Sequence, residues 1–126
     1  MTLILDSGAL IALERNDRAM WRRLKAAHLS GSVPVSHGGV IGQAWRGLGP
    51  RQTPLAKALD GIDVRPLDDA LGRAAGELLT ATRRRDVIDA ALVLLARDGD
   101  HVVTSHPDDL EPLARAAGCH VEIVTA

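Results

Sequence analysis

The chain has no Phe and no Tyr, and its 126 residues include only two Trp and one Cys. Each shortage excludes something. With so few rings, the core must be built from Ala, Leu, Val and Ile. A binder that stacks successive bases on aromatic side chains is nearly excluded, because only Trp21 and Trp45 are available. The lone Cys119 rules out an internal disulfide framework and suits a reducing cytoplasm, the expected location. An excess of one charge sign is also missing. Fifteen Lys plus Arg against 16 Asp plus Glu leave a net charge of −1, so no global field draws in a polyanion. The longest apolar run, Ala90–Ala96, falls far short of the ~20 residues that span a bilayer, so no membrane association is expected. Met1–Asp6 has no basic flank and meets a carboxylate at once, which argues against a signal peptide.

What is present is a hydrophobic share of 46%, enough for one core in one domain over residues 1–126. The charges are unevenly spread. Residues 1–60 hold eight basic and four acidic side chains, whereas residues 61–126 hold seven and twelve. Solvated helix faces account for most such charges, but a carboxylate pocket with a basic rim would give the same imbalance.

Periodicity makes the chain an alternation of strands and helices. Short apolar runs predict strands at Thr2–Leu5, Val33–Ser36, Ile62–Pro66, His101–Thr104 and His120–Val124. Helical spacing and capping residues predict helices at Ser7–Glu14, Asp17–Leu29, His37–Arg46, after Pro54 as far as Leu59, from an Asp68 cap onward, at Val87–Ala96 and at Pro107–Ala117. Gly47–Pro54 and Arg83–Arg85 read as loops. Val87–Ala96 is apolar on nearly every side, which predicts burial by the sheet and by a partner subunit, with Trp21 a second interface candidate. Trp45 is assigned to core packing, with stacking on a base as the alternative. Five strands separated by helices predict an α/β fold, a three-layer α/β/α sandwich with a mainly parallel sheet.

Sites in such sheets form beyond the carboxyl ends of the strands. The polar residues placed there are Asp6 and Ser7 after the first strand, His37 after the second, and Ser105 to Asp109 after the fourth. Asp89 falls in the first turn of the most apolar helix, where a carboxylate needs a partner or a metal. The glycine-rich loops of dinucleotide and phosphate binding are absent, and the His and Cys spacing does not suit zinc. A carboxylate cluster remains, the donor type for Mg²⁺ or Mn²⁺.

Four stretches resemble the PIN-domain proteins, and within them the VapC-type toxins of bacterial toxin–antitoxin pairs. They are Leu3-Ile4-Leu5-Asp6-Ser7-Gly8-Ala9-Leu10-Ile11, Gln43-Ala44-Trp45-Arg46-Gly47, Asp86-Val87-Ile88-Asp89-Ala90-Ala91 and Val103-Thr104-Ser105, in order along the chain. The resemblance implies a PIN-like fold and a Mg²⁺- or Mn²⁺-dependent ribonuclease acting on RNA. It also implies a homodimer held inactive by a small antitoxin protein.

Carried over residue by residue, the resemblance makes Asp6 and Asp89 the metal-binding and catalytic acids, with Asp86 an accessory catalytic acid. At two positions where the family carries an acid, this chain has Gln43 and His106. Ser7, Gln43, His106 and Asp108 are then candidates for the site edge, with Asp109 beside Asp108. Arg46, Arg51, Arg83, Arg84 and Arg85 are candidates for gripping RNA phosphates. Gln43 keeps an oxygen donor but loses charge, and a neutral imidazole at His106 suits Mn²⁺ better than Mg²⁺. Plain structural roles compete at most of these positions. Asp6 can cap the first helix, and Asp86 with Asp89 has the spacing of N-cap and third helical residue. The alternative function is a PIN-like module, weakened or inactive in catalysis, that binds RNA or an antitoxin.

Overall fold

The computed structural model describes residues 1–47 and 49–126; Leu48, within the predicted Gly47–Pro54 loop, lies outside the described residues. Five strands form one sheet: β1 (Leu3–Leu5), β2 (Val35–His37), β3 (Asp63–Arg65), β4 (His101–Thr104) and β5 (Glu122–Thr125). Among the described residues seven α-helices connect or follow them: α1 (Ser7–Glu14), α2 (Arg18–Leu29), α3 (Gly38–Ala44), α4 (Thr53–Leu59), α5 (Asp69–Thr82), α6 (Val87–Leu94) and α7 (Pro107–Ala116). All four strand pairings are parallel, in the spatial order β3-β2-β1-β4-β5. The α/β fold expected from the alternation is the one observed.

The central strand shows how the sheet is covered. Successive residues of a strand face opposite sides, yet Leu3, Ile4 and Leu5 are all buried, so β1 is packed on both faces. Helices α5, α6 and α7 pack against one another, while α1 contacts α2, α3 and α4. Edge strand β3 is exposed throughout and carries an Arg65–Asp63 pair at 3.3 Å, charges that discourage pairing with another sheet.

Several boundaries differ from the sequence reading, each for a local reason. Strand β2 starts at Val35, not Val33, because Pro34 has no N–H to give to a ladder. It runs on through His37, which caps α3 instead of belonging to it. Helix α3 stops at Ala44, short of Arg46, because the Gln52 side chain takes the Arg46 and Gly47 N–H groups at 2.8 Å each. A 3-10 turn, Gly49–Gln52, occupies part of the predicted loop. Helix α6 ends at Leu94 in tight turns, Leu95 N to Leu92 O and Ala96 N to Val93 O. Strand β5 begins two residues later than expected, since His120 N is held by Asp98 Oδ1 at 2.8 Å.

Two packing expectations are corrected. Ala90, Ala91, Leu92 and Val93 are buried within the chain, α6 lying against α5 and α7, so its apolar character calls for no partner subunit. Trp45 is 41% exposed and does not belong to the core. Trp21 is half-buried, its indole N–H donating to Leu13 O at 3.1 Å.

Candidate active site

The chain lays down β1, β2 and β3 in one direction across the sheet and then returns to place β4 and β5 on the other side of β1. The order therefore reverses between β1 and β4, and in open α/β sheets such a reversal marks where binding sites form, beyond the carboxyl ends of the strands. Asp6 follows β1 there, and Ser105 and His106 follow β4.

Asp6 is 7% exposed. Its Oδ1 accepts the Ala9 N–H at 3.0 Å, so the capping role weighed from sequence is real. That bond leaves the carboxylate costly to charge, because burial pushes its pKa up despite help from Thr104, the Ala9 and Gly8 N–H groups and His106. Thr104, fully buried at the end of β4, works in two directions. Its Oγ1 accepts the His106 N–H at 2.9 Å while its hydroxyl is bonded to Asp6. Gly8 lets this loop come close to α1. A Cβ at that position would collide with the Ser105 side chain and lie 2.9 Å from Ser105 N.

Asp89, in the first turn of α6, is near enough to Asp6 for the two charges to repel. It is half-buried, and its carboxyl is pushed up to about 6, first by burial and then by the charges of Asp86, Asp6 and Asp109. A fully buried His37 helps to place it. The ring Nδ1 accepts Gly39 N–H at 3.1 Å, which makes Nε2 the protonated nitrogen that donates to Ile88 O at 2.9 Å. The end of β2 is thus tied to the residue next to Asp89, and His37 is structural.

The remaining candidates separate clearly. Asp86 is exposed and caps α6, its Oδ1 accepting Asp89 N–H at 3.0 Å. His106 is exposed and near enough to Asp6 to stabilise its charge. Asp109, not Asp108, faces Asp89, and it stands 3.9 Å from Arg84. Asp108 is an exposed residue of the first turn of α7. Ser7 is half-buried at the start of α1. Gln43 is exposed on α3, and no hydrogen bond among the described residues links it to either acid. Arg83, Arg84 and Arg85 are exposed between α5 and α6, Arg84 alone meeting the acid group. Arg46 and Arg51 lie at the other end of α1, where Arg51 pairs with Glu14 at 3.7 Å.

The fold has a counterpart among solved structures. The chain is similar in fold to VapBC2 from Rickettsia felis, solved bound to a DNA fragment from their promoter. The likeness covers 98% of each chain with a TM-score of 0.69 at 12% identity, a level that shows the fold alone. No family model matches the sequence, and no curated protein does. The fold is the one that the PIN-domain resemblance implies.

The donor set suits a hard divalent ion. Burial raises Asp6, and burial together with the charges of Asp86, Asp6 and Asp109 raises Asp89; a bound cation would offset these costs, and carboxylate oxygen is the donor that Mg²⁺ and Mn²⁺ accept. Among the described residues no group of three or more His, Cys, Asp or Glu gathers as a metal-binding cluster. Two carboxylates are nonetheless sufficient for Mg²⁺, which keeps several waters and takes oxygens from its substrate. Also among the described residues, no helix is long and apolar enough to cross a membrane.

Proposed function

We propose that this chain is a divalent-metal-dependent ribonuclease of the VapC-like kind, hydrolysing RNA phosphodiester bonds. The observation that carries the reading is the proximity of Asp6 and Asp89 near the sheet's reversal point, both carboxyls raised and, among the described residues, no Lys or Arg paired with either. Such charge concentration is expensive, and it is useful where a cation is to be held.

Asp6 and Asp89 would hold the ion. Bound there, Mg²⁺ or Mn²⁺ supplies a water of lowered pKa and neutralises charge on the phosphate. Thr104 orients the Asp6 carboxylate, and Asp86 fixes the first turn of α6 and repels Asp89 toward the same need for a cation. In the reaction, a water oxygen bonds to phosphorus as the ribose oxygen on the far side leaves, so no Ser, His or Cys nucleophile is required. Arg84, 3.9 Å from Asp109, and its exposed neighbours Arg83 and Arg85 would meet flanking phosphates. The likeness to VapBC2 supports a small antitoxin as the protein partner, and we carry forward the homodimer implied by the PIN-domain resemblance.

A second reading has its own observation. Gln43 and His106 stand where acids are expected, which favours a module that keeps partner binding with weakened or no catalysis. RNA cleavage in Mg²⁺ and in Mn²⁺ separates the two. The nuclease reading expects cleavage by the wild type, better in Mn²⁺ than Mg²⁺, a loss of at least about 100-fold in Asp6→Ala, and a gain in His106→Asp. Cleavage undiminished in Asp6→Ala overturns the site; no cleavage at millimolar Mn²⁺ in either wild type or His106→Asp favours the inactive module.

A further inference from the structure

The exposed ring of Trp45 stands at a cleft of about 460 Å³ that the acid site does not use, lined also by Gly47, Thr53, Ala56, Lys57 and Asp60. In a chain with only two rings, one is thus spent on the surface. It is also held still. Buried Gln52 takes the Arg46 and Gly47 N–H groups at 2.8 Å each, and donates to Ala44 O at 3.0 Å and Glu14 Oε2 at 3.3 Å. A ring presented on a pinned turn loses little freedom when a ligand covers it.

The cations near it outnumber the acids. Lys57 lines the cleft with one carboxylate, Asp60, while Arg46 and Arg51 follow Trp45 closely along the chain, Arg51 paired with Glu14 at 3.7 Å. Among the described residues Arg46 and Lys57 meet no carboxylate, Arg46 instead bonding Gly42 O and Trp45 O at 2.8 Å each. A flat π face near two cations that meet no carboxylate, Arg46 and Lys57, fits a ligand that is planar and anionic, which is the chemistry of a nucleotide. The volume lies within the ~300–1,000 Å³ of small-ligand pockets. Position agrees. Asp6 caps the amino end of α1, whereas Glu14, bonded to Gln52, is its last residue, about 12 Å away at 1.5 Å per residue. One extended strand can reach both places.

We infer that this cleft is a subsite for a base of single-stranded RNA, stacked on Trp45 with neighbouring phosphates against Arg46, Arg51 and Lys57. The inference rests on the RNA reading above, and its test is independent of turnover. In Trp21→Phe, where Trp45 is the only indole, a short mixed-sequence RNA in metal-free buffer with chelator quenches the emission saturably. Fluorescence anisotropy of the same RNA, labelled, shows roughly tenfold weaker binding to Trp45→Ala and near-wild-type binding to Trp45→Phe, with unchanged thermal melts. Binding to Trp45→Ala within about twofold of wild type overturns the subsite, as does quenching by an acidic peptide but not by RNA. Quenching in a chain that cleaves nothing keeps the subsite and removes the hydrolysis. Cleavage with undisturbed Trp45 emission keeps the hydrolysis and removes the subsite.

Discussion

Asp89 carries a cost that a purely structural residue would not. Its carboxyl is raised from 3.8 to about 6 in the fold, so the folded chain binds a proton that the unfolded chain releases. The stability this lends is fully present below pH 4 and is lost as pH rises through about 6. At neutral pH the charged group therefore opposes folding. Asp89→Asn is expected to be more stable than wild type at pH 7.5 by about 1–2 kcal/mol, discounted because the half-buried group is partly screened by water. The difference vanishes at pH 4, as chemical denaturation at the two pH values would show. An Asn variant no more stable at pH 7.5 would remove the electrostatic argument for the site. Asp6 and Asp89 were legible in the sequence as carboxylates at a strand end and in an apolar helix. Thr104 and Asp109 were harder. Thr104 reads as one more residue of an apolar strand, and only its burial with two hydrogen-bond partners shows its use. The choice of Asp109 over Asp108 depends on the rotation of α7, which periodicity does not set to one residue.

At the scale of elements, capping explains both what the sequence announced and what it concealed. Asp6, Asp17, Asp68 and Asp86 each accept a backbone N–H at the third helical residue, which is why α1, α2, α5 and α6 start where the sequence placed them. His37 and Gln52 act from outside the usual capping set, and the ends of α3 were misplaced for that reason. The dual position of Asp86, both cap and neighbour of Asp89, can be resolved by substitution. Asp86→Ala removes cap and charge and should cost about 1 kcal/mol in thermal or chemical unfolding, whereas Asp86→Asn keeps the cap at near-wild-type stability. An accessory acid would show in both variants as reduced metal-dependent cleavage; a cap alone would leave Asp86→Asn as active as wild type.

Over the whole molecule, the near-neutral balance of charges conceals a local arrangement. Acids converge at the reversal point of the sheet, arginines stand between α5 and α6, and a cation-flanked ring sits at the far end of α1. The strand-and-helix alternation made the α/β class legible, and burial of both faces of β1 confirms the layering. The exposure of Trp45 was not legible, because it depends on Gln52 reaching back six residues to hold the turn. The central claim is that Asp6 and Asp89 hold a divalent ion, and a calorimetric titration of Mn²⁺ tests it most directly at pH 7.5, above the value of about 6 to which Asp89 is raised. Wild type should bind with a dissociation constant of millimolar or better, and Asp6→Ala and Asp89→Ala should each weaken that binding at least tenfold, to about 10 mM or beyond. Equal binding by all three proteins would contradict the account.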